Sequence, residues 1–217
     1  MPETTVRTIP TGTHGRYLVR APAPGATRIA VVGFHGYAQR AEDILDELIA
    51  LPGSADWLLV GVQGLHRFYN RGNQQIVAHW MTSEDRELAI ADNVAYVDGV
   101  VRAVADAHPF ERLVFVGFSQ GASMASRAAA HAGERCHGLV LLGGDVAPEV
   151  LASRARLPRT VIGRGTKDEY YSAKRFAEDS EALEDRGVLA AAVEFNGGHE
   201  FSPVFRAAAG ALIQALA

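Results

Sequence analysis

Short apolar runs alternate with amphipathic stretches along most of the chain, and this alternation restricts the architectures open to it. Residues 28–34 (RIAVVGF), 57–62 (WLLVGV), 112–118 (RLVFVGF) and 138–142 (GLVLL) are apolar on successive residues, and 160–163 and 189–195 complete the series. Strands of this kind are covered on both faces. Between them, apolar residues recur every three or four positions. Ile90, Val94, Val97, Val101 and Val104 make the clearest helical stripe. Ile44, Leu45, Leu48 and Ile49 predict a shorter helix stopped by Pro52-Gly53. Thr82 with Asp85 predicts a capping box before the long helix. Further helices are expected over 120–131, 148–154 and 172–184. The last helix should start with Ser202 as N-cap and Pro203 at its first position. Preceded by a hairpin over 6–9 and 16–20, these elements imply an α/β fold: a mostly parallel central sheet with helices on both faces.

Composition narrows the function classes. The chain has 217 residues, 48% hydrophobic and 21% charged, a size and balance suited to a single domain over 1–217. Its net charge is −4 with both signs interspersed, so no basic footprint points to a nucleic-acid partner. No apolar run approaches the ~18 residues of a membrane span, and the first residues lack the pattern of a secretory signal. Cys136 is the single cysteine, which precludes an internal disulfide and fits a cytoplasmic location; it reads as a small filler at a strand start. Linker-like pieces lie at 21–25 and 52–56, with a turn near Gly143. The stretch 63–79 shows no clear period and is expected to be an irregular wall of the site.

In a parallel sheet, ligands sit beyond the carboxyl ends of the strands. Ser119 follows the strand over 112–118, inside Gly117-Phe118-Ser119-Gln120-Gly121. A strand-to-helix turn this sharp requires small residues two before and two after the serine, and it lifts Oγ out of the sheet. A serine hydroxyl needs a base, and His199, after the last strand in Gly197-Gly198-His199, is placed to serve. The base needs an acid to hold its far nitrogen. Asp168, after the strand over 160–163, is the first candidate, with Asp145 as its competitor. The order Ser119, Asp168, His199 is that of α/β-hydrolases. Two N–H donors for an oxyanion are expected from Gln120 and from Tyr37, in the loop His35-Gly36-Tyr37. His35 reads chiefly as a brace for that loop.

Together, Gly117-Phe118-Ser119-Gln120-Gly121, His35-Gly36, Gly165-Thr166-Lys167-Asp168 and Gly198-His199 resemble the phospholipase/carboxylesterase family of small α/β-hydrolases, which includes acyl-protein thioesterases. The resemblance runs over nearly the whole chain. It implies an α/β-hydrolase fold without a separate lid domain, a Ser119-His199-Asp168 triad, and an oxyanion hole at Tyr37 and Gln120. It implies no metal and no organic cofactor, and a small-molecule ester substrate acted on by a monomer or homodimer. His35-Gly36-Tyr37-Ala38-Gln39 departs from the His-Gly-Leu-Gly-Asp common in the family, and Tyr171-Ser172 stands where Val-Pro is common. Tyr171 is accordingly expected at the pocket rim, with His35, His66, Phe68 and Trp80 as further pocket residues. The function implied is hydrolysis of carboxylic esters, or thioesters, of short-to-medium acyl groups. Rival readings are a dienelactone-hydrolase-like or peptidase-like enzyme on the same fold, and a non-catalytic binding module.

Overall fold

Strands buried on both faces need helices on both sides, and the computed structural model, which describes residues 4–22 and 28–217, meets that need. In chain order the elements are β1 (Tyr17–Arg20), β2 (Ile29–Phe34), α1 (Ala41–Ile49), β3 (Leu58–Val62), β4 (His66–Tyr69), β5 (Ile76–His79), α2 (Arg86–Ala107), β6 (Arg112–Phe118), α3 (Gln120–Ala132), β7 (Gly138–Leu142), α4 (Pro148–Ala152), β8 (Arg159–Gly165), α5 (Ala173–Asp185), β9 (Leu189–Phe195) and α6 (Pro203–Gln214). Seven strands form one sheet in the order β1-β3-β2-β6-β7-β8-β9. β1 runs antiparallel to β3, and every other neighbouring pair is parallel. β2, β3 and β7 are buried at every position.

The two-residue period of β2 divides its side chains between two cores. Ala30, Val32 and Phe34 join Val97, Val101 and Val104 of α2, Met124 and Ala125 of α3, and Leu183 of α5. Ile29 and Val31 join Ile44 and Leu48 of α1 and Phe205, Ala209 and Leu212 of α6 on the opposite face. Ser172 caps α5 and Ser202 caps α6, each accepting an N–H from the residue three positions on. Cys136 is buried, and burial pushes its thiol up to about 12. It is a packing residue just before β7, as its place at a strand start suggested.

Three expectations are corrected. The opening hairpin does not form: residues 6–9 make no strand and are exposed, and β1 pairs with β3. The open edge of β3 offers β1 a fully apolar partner, which a hairpin with 6–9 does not. No capping box forms at Thr82. Asp85 is the N-cap of α2, with φ 46° and no side-chain cap, and Thr82 Oγ1 instead accepts the Glu84 N–H at 3.3 Å. That local turn competes with capping. The stretch 63–79 is irregular only in part. β4 and β5 form an antiparallel hairpin that aligns His66 with His79 and Phe68 with Val77. Strands of four residues half open to water show too little alternation to be read. Of the linker over 21–25, residues 23–25 lie outside the described residues.

A close backbone contact lies where α3 meets β2. A methyl group on Gly121 would sit 2.1 Å from the Phe34 carbonyl oxygen, and one on Gly117 would sit 2.3 Å from the Gly121 carbonyl oxygen. Both obstacles are backbone, which cannot swing aside. Gly121→Ala should therefore destabilise the protein by about 1–3 kcal/mol or more. Gly99→Ala, in α2 with nothing within 4 Å of the new methyl, should be neutral or stabilising by up to about 1 kcal/mol. Urea unfolding of the two variants checks the contrast; equal midpoints would refute the close-contact account.

Candidate active site

Ser119 is the one residue between the end of β6 and the start of α3. Its backbone has φ 55° and ψ −123°, a conformation that costs a non-glycine residue about 1–3 kcal/mol. The Ser119 N–H donates to the Leu142 carbonyl at 2.8 Å, and the Ser119 carbonyl accepts the Ala122 N–H at 2.9 Å. The residue is thus fastened on both sides, and Gly117 and Gly121 make the room expected of them.

His199 lies in the loop between β9 and α6. Its Nδ1 is 2.8 Å from Asp168 Oδ2. The ring rests on Phe118 at 4.7 Å between centroids, and Tyr170 covers it at 4.9 Å. Gly143, at the end of β7, leaves space for it: a methyl there would fall 2.9 Å from His199 Cε1. The Asp168 side chain is 1% exposed. Its Oδ1 accepts the N–H groups of Tyr170 at 2.9 Å and Tyr171 at 3.0 Å. Both carboxylate oxygens are therefore satisfied, as a buried charge requires. Asp145 is 42% exposed and paired with Arg175 at 3.0 Å, so the competitor acid is engaged elsewhere. Among the described residues neither Ser119 Oγ nor His199 Nε2 has a hydrogen-bond partner. Such bonds often tighten only around a substrate.

The loop after β2 closes against the serine: a methyl on Gly36 would lie 3.1 Å from Ser119 Cβ. The Gly36 N–H donates to Gln39 Oε1 at 2.7 Å, and the Ala38 N–H to the Ala78 carbonyl at 3.0 Å. Among the described residues the N–H groups of Tyr37 and Gln120 have no acceptor. The Gln120 N–H opens α3, where helical geometry leaves it free.

His35 and Trp80 prove to be scaffolding. His35 is fully buried, so it does not line a pocket. Its Nε2 accepts the Gly64 N–H at 2.9 Å and its Nδ1 lies 2.7 Å from the Gly36 carbonyl. This pattern fits a neutral ring with its proton on Nδ1. Burial lowers the His35 pKa to about 4. Trp80 is likewise fully buried, with Nε1 donating to the His35 carbonyl at 2.9 Å. Its backbone N–H donates to Gln120 Oε1 at 2.9 Å, and Gln120 Nε2 donates to the Met81 carbonyl at 2.9 Å. An indole this large, with one donor, finds its best place under the loop it braces.

Tyr171 does not reach the rim. It is buried, and its hydroxyl donates to Asp179 Oδ2 at 2.7 Å. Burial and that carboxylate push its phenol pKa up. The turn after Asp168 points consecutive residues in opposite directions, so Tyr170, 82% exposed, takes the outer position. His66 and Phe68 stand on β4. His66 is exposed and stacks on His79 at 5.0 Å, while Phe68 meets the exposed ring of Tyr37 at 5.6 Å. Beside His199, a cleft of about 480 Å³ opens towards α1, with Phe118 and Phe201 on its wall and Glu47 and Arg206 paired across it. Gln39, Tyr170 and Gly143 are contributors that sequence reasoning did not single out. Only the glycine pair at 143–144, directly after a buried strand, carries a visible signal. Among the described residues no three His, Cys, Asp or Glu side chains group to hold a metal ion, and no helix is long and apolar enough to cross a membrane.

A family model described as the alpha/beta hydrolase fold matches residues 35–183. Among solved structures, esterase PE8 has a TM-score of 0.75 at 21% identity, covering 94% of this chain and 100% of that one. The Bacillus cereus carboxylesterase has a TM-score of 0.73 at 17% identity, covering 93% and 94%. The Zea mays acyl-protein thioesterase 2 has a TM-score of 0.69 at 19% identity, covering 93% and 99%. Identities this low speak for the fold. Among curated proteins none matches.

The neutrality of His35 has a consequence for stability. As pH falls below 6.5 the unfolded chain protonates this imidazole, while the folded protein resists until about 4. The stabilisation is complete above the higher value and is lost progressively between the two. It amounts to something on the order of 3 kcal/mol. Urea midpoints of the parent should therefore drop through this window, and His35→Asn, which cannot titrate, should show a shallower drop. Parallel slopes for the two proteins would remove His35 as the responsible group.

Proposed function

The chain belongs to the alpha/beta-hydrolase fold family, and on that premise we propose that it is a serine hydrolase of carboxylic esters. The observation that carries the reading is the convergence at one sheet end of strained Ser119, the His199–Asp168 pair at 2.8 Å, and the unpaired N–H groups of Tyr37 and Gln120. A binding module has no use for a buried acid held by two backbone N–H groups and aimed at an imidazole.

In this mechanism Ser119 Oγ attacks the carbonyl carbon and its proton passes to His199 Nε2. Asp168 keeps the Nδ1 proton in place and stabilises the imidazolium. The tetrahedral oxyanion accepts hydrogen bonds from the Tyr37 and Gln120 N–H groups, each worth about 3 kcal/mol in the transition state. His199 then protonates the leaving oxygen as the carbon–oxygen bond breaks, leaving an acyl-enzyme. Water loses a proton to His199 as it attacks the acyl carbon, and the acid departs with Ser119 restored. Thioesters follow the same steps with a thiolate leaving group. The similar structures are named as esterases and as an acyl-protein thioesterase, which supports this substrate class, as does the phospholipase/carboxylesterase resemblance. Short-to-medium acyl groups are favoured because an enclosed methylene contributes about 0.8 kcal/mol, and no separate lid extends the walls among the described residues.

The test is a p-nitrophenyl ester series from acetyl to palmitoyl, below micellar concentrations, on the parent and Ser119→Ala. The parent should gain in kcat/KM to about butyryl or hexanoyl and then level off or fall. Ser119→Ala should lose about 10⁶ in kcat with its fold intact. Near-normal turnover by the variant would sink the assignment, and a rise continuing to palmitoyl would sink the acyl preference.

The acid assignment is tested by a paired substitution. Asp168→Asn places an amide against Nδ1 and favours the wrong histidine tautomer, a change costing about 10⁴ in kcat in serine proteases. Asp145→Asn removes only a half-exposed ion pair with Arg175 and should leave kcat within about twofold, since such pairs contribute little. A larger loss from Asp145→Asn would move the acid to the end of β7.

A further inference from the structure

Parallel strands send all their amino-terminal ends to one edge of the molecule, away from Ser119. At that edge, before β7, β8 and β9 begin, lies a cavity of about 880 Å³. Arg154, Arg156 and Arg159 enter it from the segment between α4 and β8, Arg186 from the end of α5, and His137 from the start of β7. Leu157, buried, is part of its apolar floor. The seven residues of β8 put about 20 Å between Arg159 and the strand end that leads to Asp168.

The arginines do not all have the same work. Arg186 is occupied structurally: it donates to the carbonyls of Val150, Leu151, Ser153 and Ala155, closing the last turn of α4. Arg154 and Arg159 are different. Both are exposed, and neither makes a hydrogen bond or ion pair among the described residues. Both line the same cavity, and with no carboxylate partner among the described residues their donors are open to an anion. Arginine presents a planar fork of donors that matches phosphate oxygens two at a time. The volume lies within the ~300–1,000 Å³ of small-molecule sites. An apolar floor beneath a cationic rim suits a ligand with both an organic body and an anionic group.

We infer that this cavity is a second binding site, separate from the ester-hydrolysing centre, and that it takes an organic phosphate through Arg154 and Arg159. The phosphate oxygens sit between the two guanidinium groups, and the organic part lies over Leu157. The phosphate belongs either to a free metabolite, such as a nucleotide, or to a lipid headgroup at a bilayer surface.

The test uses the full chain and three probes: inorganic pyrophosphate, ADP, and phosphatidylcholine vesicles with or without phosphatidic acid. Binding is followed by calorimetry for the soluble probes and by co-sedimentation for the vesicles. The variant is Arg154→Gln with Arg159→Gln. Both side chains are exposed and unpartnered among the described residues, so the fold is kept, and unchanged urea unfolding checks this. The control is Arg71→Gln with Arg102→Gln, which also loses two exposed positive charges, both outside the cavity. For a free ligand, ADP should bind tighter than pyrophosphate, and the double variant should weaken both at least about tenfold while the control does not. For a headgroup, only the phosphatidic-acid vesicles should sediment the protein, with the same dependence on the two arginines. Absence of binding to every probe, or binding that is equal in parent and double variant, overturns the proposal. Loss that is equal in the control overturns it too, because the effect would then be one of net charge.

Discussion

The close approach of α3 to β2 is the constraint on which the candidate site depends. Gly121 lies so near the Phe34 carbonyl that α3 can start only directly above the end of β2. That start forces the abrupt turn at Ser119 and its φ of 55°. The strain is held because most of the buried residues of α3 are small, among them Gly121, Ala122, Ala125, Ala128 and Ala129, which let the helix sit low on the sheet. The Ser119 N–H also continues the β6–β7 ladder by donating to Leu142. The strain is of order a few kcal/mol, small beside the burial of two cores. Substitutions that lift α3 would relax the serine long before they unfolded the protein.

The second dependency is a chain of hydrogen bonds that ends at the loop after β2. His35 accepts from Gly64, Trp80 donates to the His35 carbonyl, and Gln120 clamps the backbone on both sides of Trp80. Four segments distant in sequence thereby fix one another, and Gln39 holds the Gly36 N–H out of the way. Among the described residues the N–H groups of Gly36, Ala38 and Ser119 have acceptors, while those of Tyr37 and Gln120 have none. On the proposed reading, preorganisation of this kind spares these two N–H groups any reorientation when charge develops on a substrate oxygen. It also explains why a neutral imidazole is needed at position 35: a second ring proton would face the Gly64 N–H.

Legibility in the sequence followed the range of the forces involved. Buried strands and the stripe on α2 were plain, because apolar periodicity reports burial over many residues. The placement of Ser119, Asp168 and His199 just beyond strand ends was plain because topology gathers those ends together. What failed were decisions between adjacent residues. Tyr170 and Tyr171 are chemically alike, and which one faces outward is fixed by the turn that wraps the Asp168 carboxylate. Trp80 was placed on a pocket wall by the family resemblance, yet its polar atoms are consumed inside the scaffold, where His35 is the brace its loop position suggested. Thr82 turned on its own neighbour instead of capping α2. The β4–β5 hairpin was hidden because short, half-exposed strands carry little pattern.

The two ends of the parallel sheet also differ in electrical character. At the carboxyl ends, the cleft beside His199 is walled by Asp43, Asp46, Glu47 and Glu200 against one arginine, Arg206. At the amino ends, the larger cavity gathers arginines. The sheet separates these by about 20 Å, while the Debye length at physiological salt is about 8 Å. Neither end therefore feels much of the field of the other. An organic phosphate is repelled from the acidic cleft and drawn to the arginines by local charge alone, so the two sites sort anions without any gate. Communication between them, where it occurs, has to be mechanical. The shortest solid route is β8, which begins at Arg159 and leads through Gly165 into the turn that holds Asp168.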